Sequence, residues 1–203
     1  MDQIADDAAL RAHFGPVSVL AETKTLSRLD HYCRDFIALS PFLVLATSDG
    51  QGNMDASPRG DAPGFVAVLD DMTLLLPDRP GNRRVDSFHN ILASPGVGLL
   101  FLVPGIGETV RVNGTATLVT DPALLAGSVA QGKVPGAGLL IAVREVFFHC
   151  GKALIRSKLW DPSVQVPRAS FPTLGRIAAE QTRAMSTEAA EAAIEIAYRD
   201  RLY

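Results

Sequence analysis

From residue 42 to residue 119 the chain is a series of short apolar runs cut by turn-forming clusters, a texture that reads as successive β-hairpins. Phe42-Leu43-Val44-Leu45-Ala46-Thr47 ends at Ser48-Asp49-Gly50-Gln51-Gly52-Asn53, and Met54 to Pro58 is the returning strand. Residues 65–69 and 73–76 form a second hairpin across Asp70-Asp71. Residues 97–103 and 109–119 form a third across Pro104-Gly105-Ile106-Gly107, and residues 138–146 add a further strand. Six or seven short antiparallel strands result, and their spacing favours a small barrel over a sandwich.

Helical patterns flank this core. From Leu26 the positions Leu29, Cys33, Phe36 and Ile37 recur at three- and four-residue spacing and stop at Pro41. Residues 83–93 read as a short helix closed by Pro95-Gly96. Asp121-Pro122 opens another that runs to about Gln131. Residues 150–160 read as a helix ended by Asp161-Pro162, and the tail from Pro172 is helical. The expected organisation is an N-terminal helical segment (1–40), a β-domain (41–160) and a C-terminal helical extension (161–203).

The chemistry is concentrated where Leu74-Leu75-Leu76 empties into Pro77-Asp78-Arg79-Pro80-Gly81-Asn82-Arg83-Arg84-Val85-Asp86-Ser87. A strand, a Pro/Gly turn with three arginines and a helix start together suit an anion. The first helical N–H groups and the dipole attract negative charge, and arginine adds a planar fork of donors. Ser57-Pro58-Arg59-Gly60-Asp61 is a second element of the same kind. Arg59, Gly60, Asp61, Arg79, Asn82 and Arg83 are therefore candidates for holding a phosphorylated ligand. Arg83 is favoured over Arg84, and Arg59 has Asp55 and Asp61 as alternative ion-pair partners.

Other classes are excluded by composition. A net charge of −3 over 203 residues and a pI near 5.8 do not suit a basic nucleic-acid face. No run approaches the roughly 18 apolar residues of a membrane span, and the acidic start of the chain shows no apolar leader, so a cytoplasmic location is expected. Two cysteines, Cys33 and Cys150, sit in no CxxC pair and read as small buried hydrophobes. Four histidines show no metal-ligand spacing, so no metal site is expected. No nucleophile–base constellation is recognisable.

The order of these pieces resembles the pyridoxamine 5′-phosphate oxidase-like flavoproteins over about residues 37–160. The resemblance is carried by 42–50, by Ser57-Pro58-Arg59-Gly60-Asp61, by Leu74-Leu75-Leu76-Pro77-Asp78 leading to Asn82-Arg83-Arg84, by 90–101, and by Glu108-Thr109-Val110-Arg111-Val112-Asn113-Gly114-Thr115-Ala116. It implies an α+β, mainly β fold: a six-stranded antiparallel Greek-key split β-barrel with N- and C-terminal helices. It also implies FMN bound at a homodimer interface, with Arg59, Asn82 and Arg83 toward its phosphate. Leu76, Pro77 and Asp78 would then lie along the ribityl chain or the ring, and Thr109 would face the flavin of the other subunit. Asp78 either accepts from ribityl hydroxyls or balances an arginine. The Arg-x-His that grips the substrate in the name-giving oxidase has no counterpart before Arg199-Asp200-Arg201-Leu202-Tyr203, so the small-molecule substrate is open.

The activity implied is an FMN-dependent oxidoreductase with NAD(P)H as a candidate reductant. The alternatives are a non-catalytic flavin-binding module, or a split barrel using F420 or haem. Arg156, Lys158 and Trp160 read in two ways, as a core or interface segment or as the wall of a substrate pocket.

Overall fold

The computed structural model describes residues 3–203. Helices α1 (Asp7–Phe14), α2 (Val19–Thr23) and α3 (His31–Leu39) precede the sheet. Asp30 caps α3 by accepting from the Cys33 N–H at 2.8 Å, and the stripe Leu29, Cys33, Phe36 and Ile37 is buried as its spacing predicts. Burial and the Asp30 carboxylate push the Cys33 thiol up to about 12, which leaves it a small hydrophobe. Cys150, expected to be buried, is exposed because it lies in the turn after the last strand.

Seven strands follow: β1 (Phe42–Ser48), β2 (Met54–Gly60), β3 (Ala67–Val68), β4 (Thr73–Pro77), β5 (Gly96–Leu102), β6 (Thr109–Val119) and β7 (Gly138–His149). They form one antiparallel sheet in the order β2-β1-β5-β6-β7-β4-β3. The seventh is the two-residue β3. The strand expected over 65–69 is cut short because the Phe65 N–H is spent in a turn on the Ala62 carbonyl. The sheet is rolled. Strands β2 and β4 stand near opposite ends of the strand order, yet Asp61 just past β2 is ion-paired with Arg79 just past β4. Arg59 likewise reaches Asp78. These contacts close a split barrel.

Alternation fills the barrel: Leu43 and Leu45, Leu99 and Phe101, Val110 and Val112 point inward into the core they share with the buried stripe of α3. Three consecutive leucines of β4 are buried because the strand is covered on both faces. Leu74 and Leu76 join the core, while Leu75 and Leu125 close over Gly138 on the other side. At the β6 bulge between Asn113 and Gly114, a Cβ on Gly114 would lie 2.1 Å from the Ala142 carbonyl oxygen, so only glycine fits.

Three helices differ from expectation, two of them through left-handed residues. Arg83 (φ 61°) and Val85 (φ 53°) delay α4 to Asp86–Ala93. The helix expected to reach Gln131 is only α5 (Pro122–Leu125) with one following 3₁₀ turn. Gln131 and Gly132, both at positive φ, make a tight turn in which Ala130 and Lys133 exchange hydrogen bonds. Lys158 (φ 51°) ends α6 (Lys152–Ser157), so Arg156 and Trp160 do not share a helical face. Helices α7 (Leu174–Thr182) and α8 (Thr187–Asp200) pack closely where Gly175 meets Glu191. Among the described residues no helix is long and apolar enough to cross a membrane, and no cluster of His, Cys, Asp and Glu suits a metal.

Candidate anion-binding site at the barrel closure

Strand β2 carries Arg59 at the seam where the barrel closes, so the guanidinium faces the end of β4 and the start of α4. It donates to Asp78 at 3.5 Å and to the Ser87 hydroxyl at 3.3 Å, and its carbon lies 5.8 Å from the Phe88 ring centre. Both hydrogen bonds are long against the usual 2.7–3.2 Å. Among the described residues the buried Arg59 Nε has no hydrogen-bond partner. Ser87 is buried and donates to Asp55 at 3.1 Å. Asp55 thus reaches Arg59 through Ser87, and Asp61 does not pair with Arg59.

Helix α4 starts without a side-chain cap, because Val85 occupies the cap position in the left-handed region. The Phe88 and His89 N–H groups donate to the Val85 carbonyl, so it is the Asp86 and Ser87 N–H groups that stand at the positive dipole end with no side-chain cap. The preceding loop is exposed. Asn82 accepts from the Arg84 N–H at 3.0 Å, and Arg84 pairs with Asp86 at 2.8 Å, a solvent-exposed contact of little energetic weight. Arg83 has no ion pair or hydrogen bond through its side chain among the described residues. Two left-handed non-glycine residues within three positions hold this loop in a strained shape.

Asp78 lies between Arg59 and the barrel end. Burial raises its carboxyl above the ordinary value, and the Arg59 and Arg79 charges only partly oppose this. Its N–H bonds the Ala137 carbonyl at 2.9 Å. Leu76 and Pro77 are buried and offer only backbone; β4 is unpaired there on its β3 side, since β3 reaches no further than the partner of Leu75.

Arg79 does not join Arg59. Its Nε donates to Asp61 at 2.5 Å and its terminal nitrogen to the Ser128 carbonyl at 2.9 Å, while the Tyr203 ring centre lies 6.0 Å away. Tyr203 completes the cluster by donating its hydroxyl to Asp61 at 2.6 Å. Burial acts to raise the Asp61 carboxyl, but the Tyr203 hydroxyl, the Ala62 N–H and Arg79 outweigh it and hold the group below its usual value. Gly60 ends β2 with its Cα against the Pro41 carbonyl.

Thr109 is buried at the start of β6 opposite His149, away from the Arg59 cluster. Trp160 donates its indole N–H to the Ile106 carbonyl at 2.8 Å, pinning the segment after α6 to the β5–β6 turn; Arg156 and Lys158 are exposed. Among the described residues none of Thr109, Arg156, Lys158 and Trp160 is hydrogen-bonded to the arginine cluster within one chain. The cluster members not singled out from sequence are Ser87, Phe88, Ser128 and Tyr203, while Asp55, named there as a direct partner of Arg59, reaches it only through Ser87. Ser87 had a legible signal, a hydroxyl in the first turn after an arginine-bearing loop. Tyr203 had none, because it arrives from the far end of the chain.

The sequence profile of the family described as pyridoxamine 5′-phosphate oxidase matches residues 29–150. No curated protein sequence matches. Among solved structures, HupZ of Group A Streptococcus is 24% identical (TM-score 0.48, 59% of this chain and 93% of that one). A Lactobacillus delbrueckii protein provisionally described as a pyridoxamine 5′-phosphate oxidase is 25% identical (TM-score 0.48, 62% and 99%). An FMN-binding protein of Syntrophomonas wolfei is 12% identical (TM-score 0.44, 57% and 82%).

Proposed function

This chain belongs to the pyridoxamine 5′-phosphate oxidase family, and from that premise we propose that it binds FMN and acts as an oxidoreductase on a small molecule. The observation that carries the reading is Arg59: a half-buried guanidinium with an orphaned Nε and two overlong contacts, set beside the uncapped start of α4. A buried donor without an acceptor costs about 1–3 kcal/mol, and a phosphate oxygen would supply that acceptor. Arg83 is the second cation free to reach it. The residues present therefore fit a phosphorylated cofactor, with Asn82 shaping the loop and Asp78 toward the ribityl chain. FMN, when bound, supplies hydride and electron transfer itself, so the chain needs to bind, orient and exclude water.

We further propose a homodimer in the cytoplasm, built on the outer face of β2, β1 and β5, with Thr109 directed at the flavin of the other subunit and NAD(P)H as reductant. Titration of purified protein with FMN and riboflavin tests the cofactor: FMN is expected to bind far more tightly, and equal binding of the two would remove the phosphate reading. A spectrum of F420 or haem type in the purified protein would replace FMN with that group. Rapid reduction of bound flavin by NADH or NADPH supports an enzyme, while no reduction by either, with no oxidase activity on amines, supports a non-catalytic flavin module.

A further inference from the structure

The outer face of the barrel does not stop at β5. The ladder register carries it on: Val44 stands opposite Leu100, Leu100 opposite Arg111, and Arg111 opposite Phe147 of β7. One row along, Ala46, Gly98, Asn113 and Glu145 follow one another across the same strands. The face is therefore apolar over β1 and β5 and continues over β6 and β7 as a patch of Arg111, Asn113, Glu145 and Phe147. Lys24 marks its margin, with its ammonium 4.8 Å from the Phe147 ring centre and donating to the Phe148 carbonyl at 3.0 Å.

The ion pair in this patch is incomplete on both sides. Arg111 donates to Glu145 through one terminal nitrogen at 3.3 Å, a long contact. Its guanidinium carbon lies 4.2 Å from the Phe147 ring centre, and its buried Nε has no hydrogen-bond partner among the described residues. Glu145 accepts from Asn113 at 2.6 Å with the same oxygen that meets Arg111; among the described residues its second oxygen accepts nothing. Both side chains remain partly exposed, at 41% and 38%. The arginine thus keeps unspent donors and the glutamate an unspent acceptor. An exposed pair of this kind contributes little by itself. Once another molecule covers it, each unspent charge needs an opposite one.

Self-complementarity decides which molecule that is. A two-fold rotation about an axis through the patch sets Arg111 of one copy against the partner subunit's Glu145, and the same operation makes the reverse contact. One kind of contact then satisfies both excesses, and the small residues Ala46 and Gly98 in the adjoining row let the two sheets approach. An unlike protein would need an acid and a base at matching spacing beside an apolar face of its own. We propose that Arg111 and Glu145 form reciprocal salt bridges between chains, so that this face selects a second copy of the same chain. The pairing rests on the homodimer proposed above and extends its surface onto β6 and β7.

The test is a charge exchange between full-length chains, read as the dimer dissociation constant in sedimentation experiments. Arg111→Glu puts two acids in the patch and Glu145→Arg two bases, so each variant alone should dimerise at least about tenfold more weakly than wild type. Mixed in equal amounts, the two should form a heterodimer close to wild-type affinity, because each acid then meets a base of the other chain. Like charges stay together within each chain, so a pair confined to one chain gives no such recovery. The wild-type dimer should also loosen at high salt, and Arg111→Gln should lose that dependence. Where circular dichroism shows a reversal variant unfolded, Arg111→Gln and Glu145→Gln decide instead: both should weaken the dimer, and wild-type affinity in both overturns the pairing. A folded reversal variant as dimeric as wild type also overturns it. Folded variants that stay apart when mixed, beside a dimeric wild type, overturn the pairing and leave the homodimer standing. A wild type that is monomeric at every concentration removes homodimer and pairing together and leaves the face to a different partner.

Discussion

Hydrogen bonds of 3.5 Å to Asp78 and 3.3 Å to Ser87 leave Arg59 held in place but poorly satisfied. Replacing it with alanine removes charge-assisted contacts worth about 1.5–3 kcal/mol, so Arg59→Ala should weaken FMN by about 10- to 100-fold in a fluorescence titration and leave riboflavin nearly unaffected. Equal losses for both ligands would place Arg59 away from the phosphate. Asp78 competes for the same guanidinium and sets a negative charge near the incoming anion. Its carboxyl is raised by burial, so its stabilising contribution is present below the ordinary carboxylate value and is lost as pH rises through the raised one. As pH falls through that window the neutral form frees Arg59, and phosphate affinity should rise. Asp78→Asn should therefore bind FMN several-fold more tightly at neutral pH and show a flatter pH dependence than wild type over the acidic range. Unchanged affinity with an unchanged pH profile would separate Asp78 from the phosphate. Asp61 has the opposite sign: its depressed carboxyl stabilises above the ordinary value and that stabilisation is lost on acidification below it.

Among the elements, the strands were legible because each alternates or empties into a strong turn. Phe42–Ser48 and Gly96–Leu102 both show the inward burial that their patterns imply. What was hidden was backbone handedness. Nothing in Arg83, Val85 or Lys158 announces a left-handed residue, and each shortens a helix that periodicity alone extends. The candidate site was half legible for a related reason. Arg59 and Arg83 were visible as phosphate candidates in turn-rich sequence, but Arg79 looked equivalent to them. Its burial on Asp61 and Tyr203 depends on a residue 124 positions further along the chain (203 − 79).

Two tests follow at this scale. A β-branched residue in the left-handed region stores about 1–3 kcal/mol, whereas asparagine tolerates that region. Val85→Asn should thus raise the melting temperature by about 2–4 °C for each kcal/mol recovered in a chain of this size; a lower melting temperature would show that Val85 packs in a way the strain does not outweigh. Gly114→Ala should act in reverse. Its methyl would collide with the Ala142 backbone at the β6 bulge, and overpacking of this kind costs about 1–3 kcal/mol. Thermal or urea unfolding of wild type and variant checks it.

For the whole molecule the telling surface is the outside of the barrel. Side chains that alternate with the core residues of β1 and β5 remain apolar: Phe42 (38% exposed), Val44, Leu100 and Leu102, beside Pro58 and Met54 (73% exposed) of β2. The register places Phe42 opposite both Leu102 and Gly60, and Val44 opposite both Leu100 and Pro58, so these groups form one continuous face rather than scattered contacts. A contiguous apolar patch is the usual mark of an interaction surface, and a self-complementary sheet face is suited to a two-fold dimer. Light scattering coupled to size exclusion should give about 43 kDa, twice the 21.6 kDa of one chain. Val44→Arg, a cation at the centre of the face with no effect on the inward core, should shift the mass toward the monomer. Because the proposed flavin site takes Thr109 from the other subunit, the same variant should lose FMN affinity although Arg59, Arg83 and Ser87 are untouched. A Val44→Arg protein that stays dimeric would move the interface elsewhere, and one that becomes monomeric yet keeps full FMN affinity would confine the cofactor to a single chain.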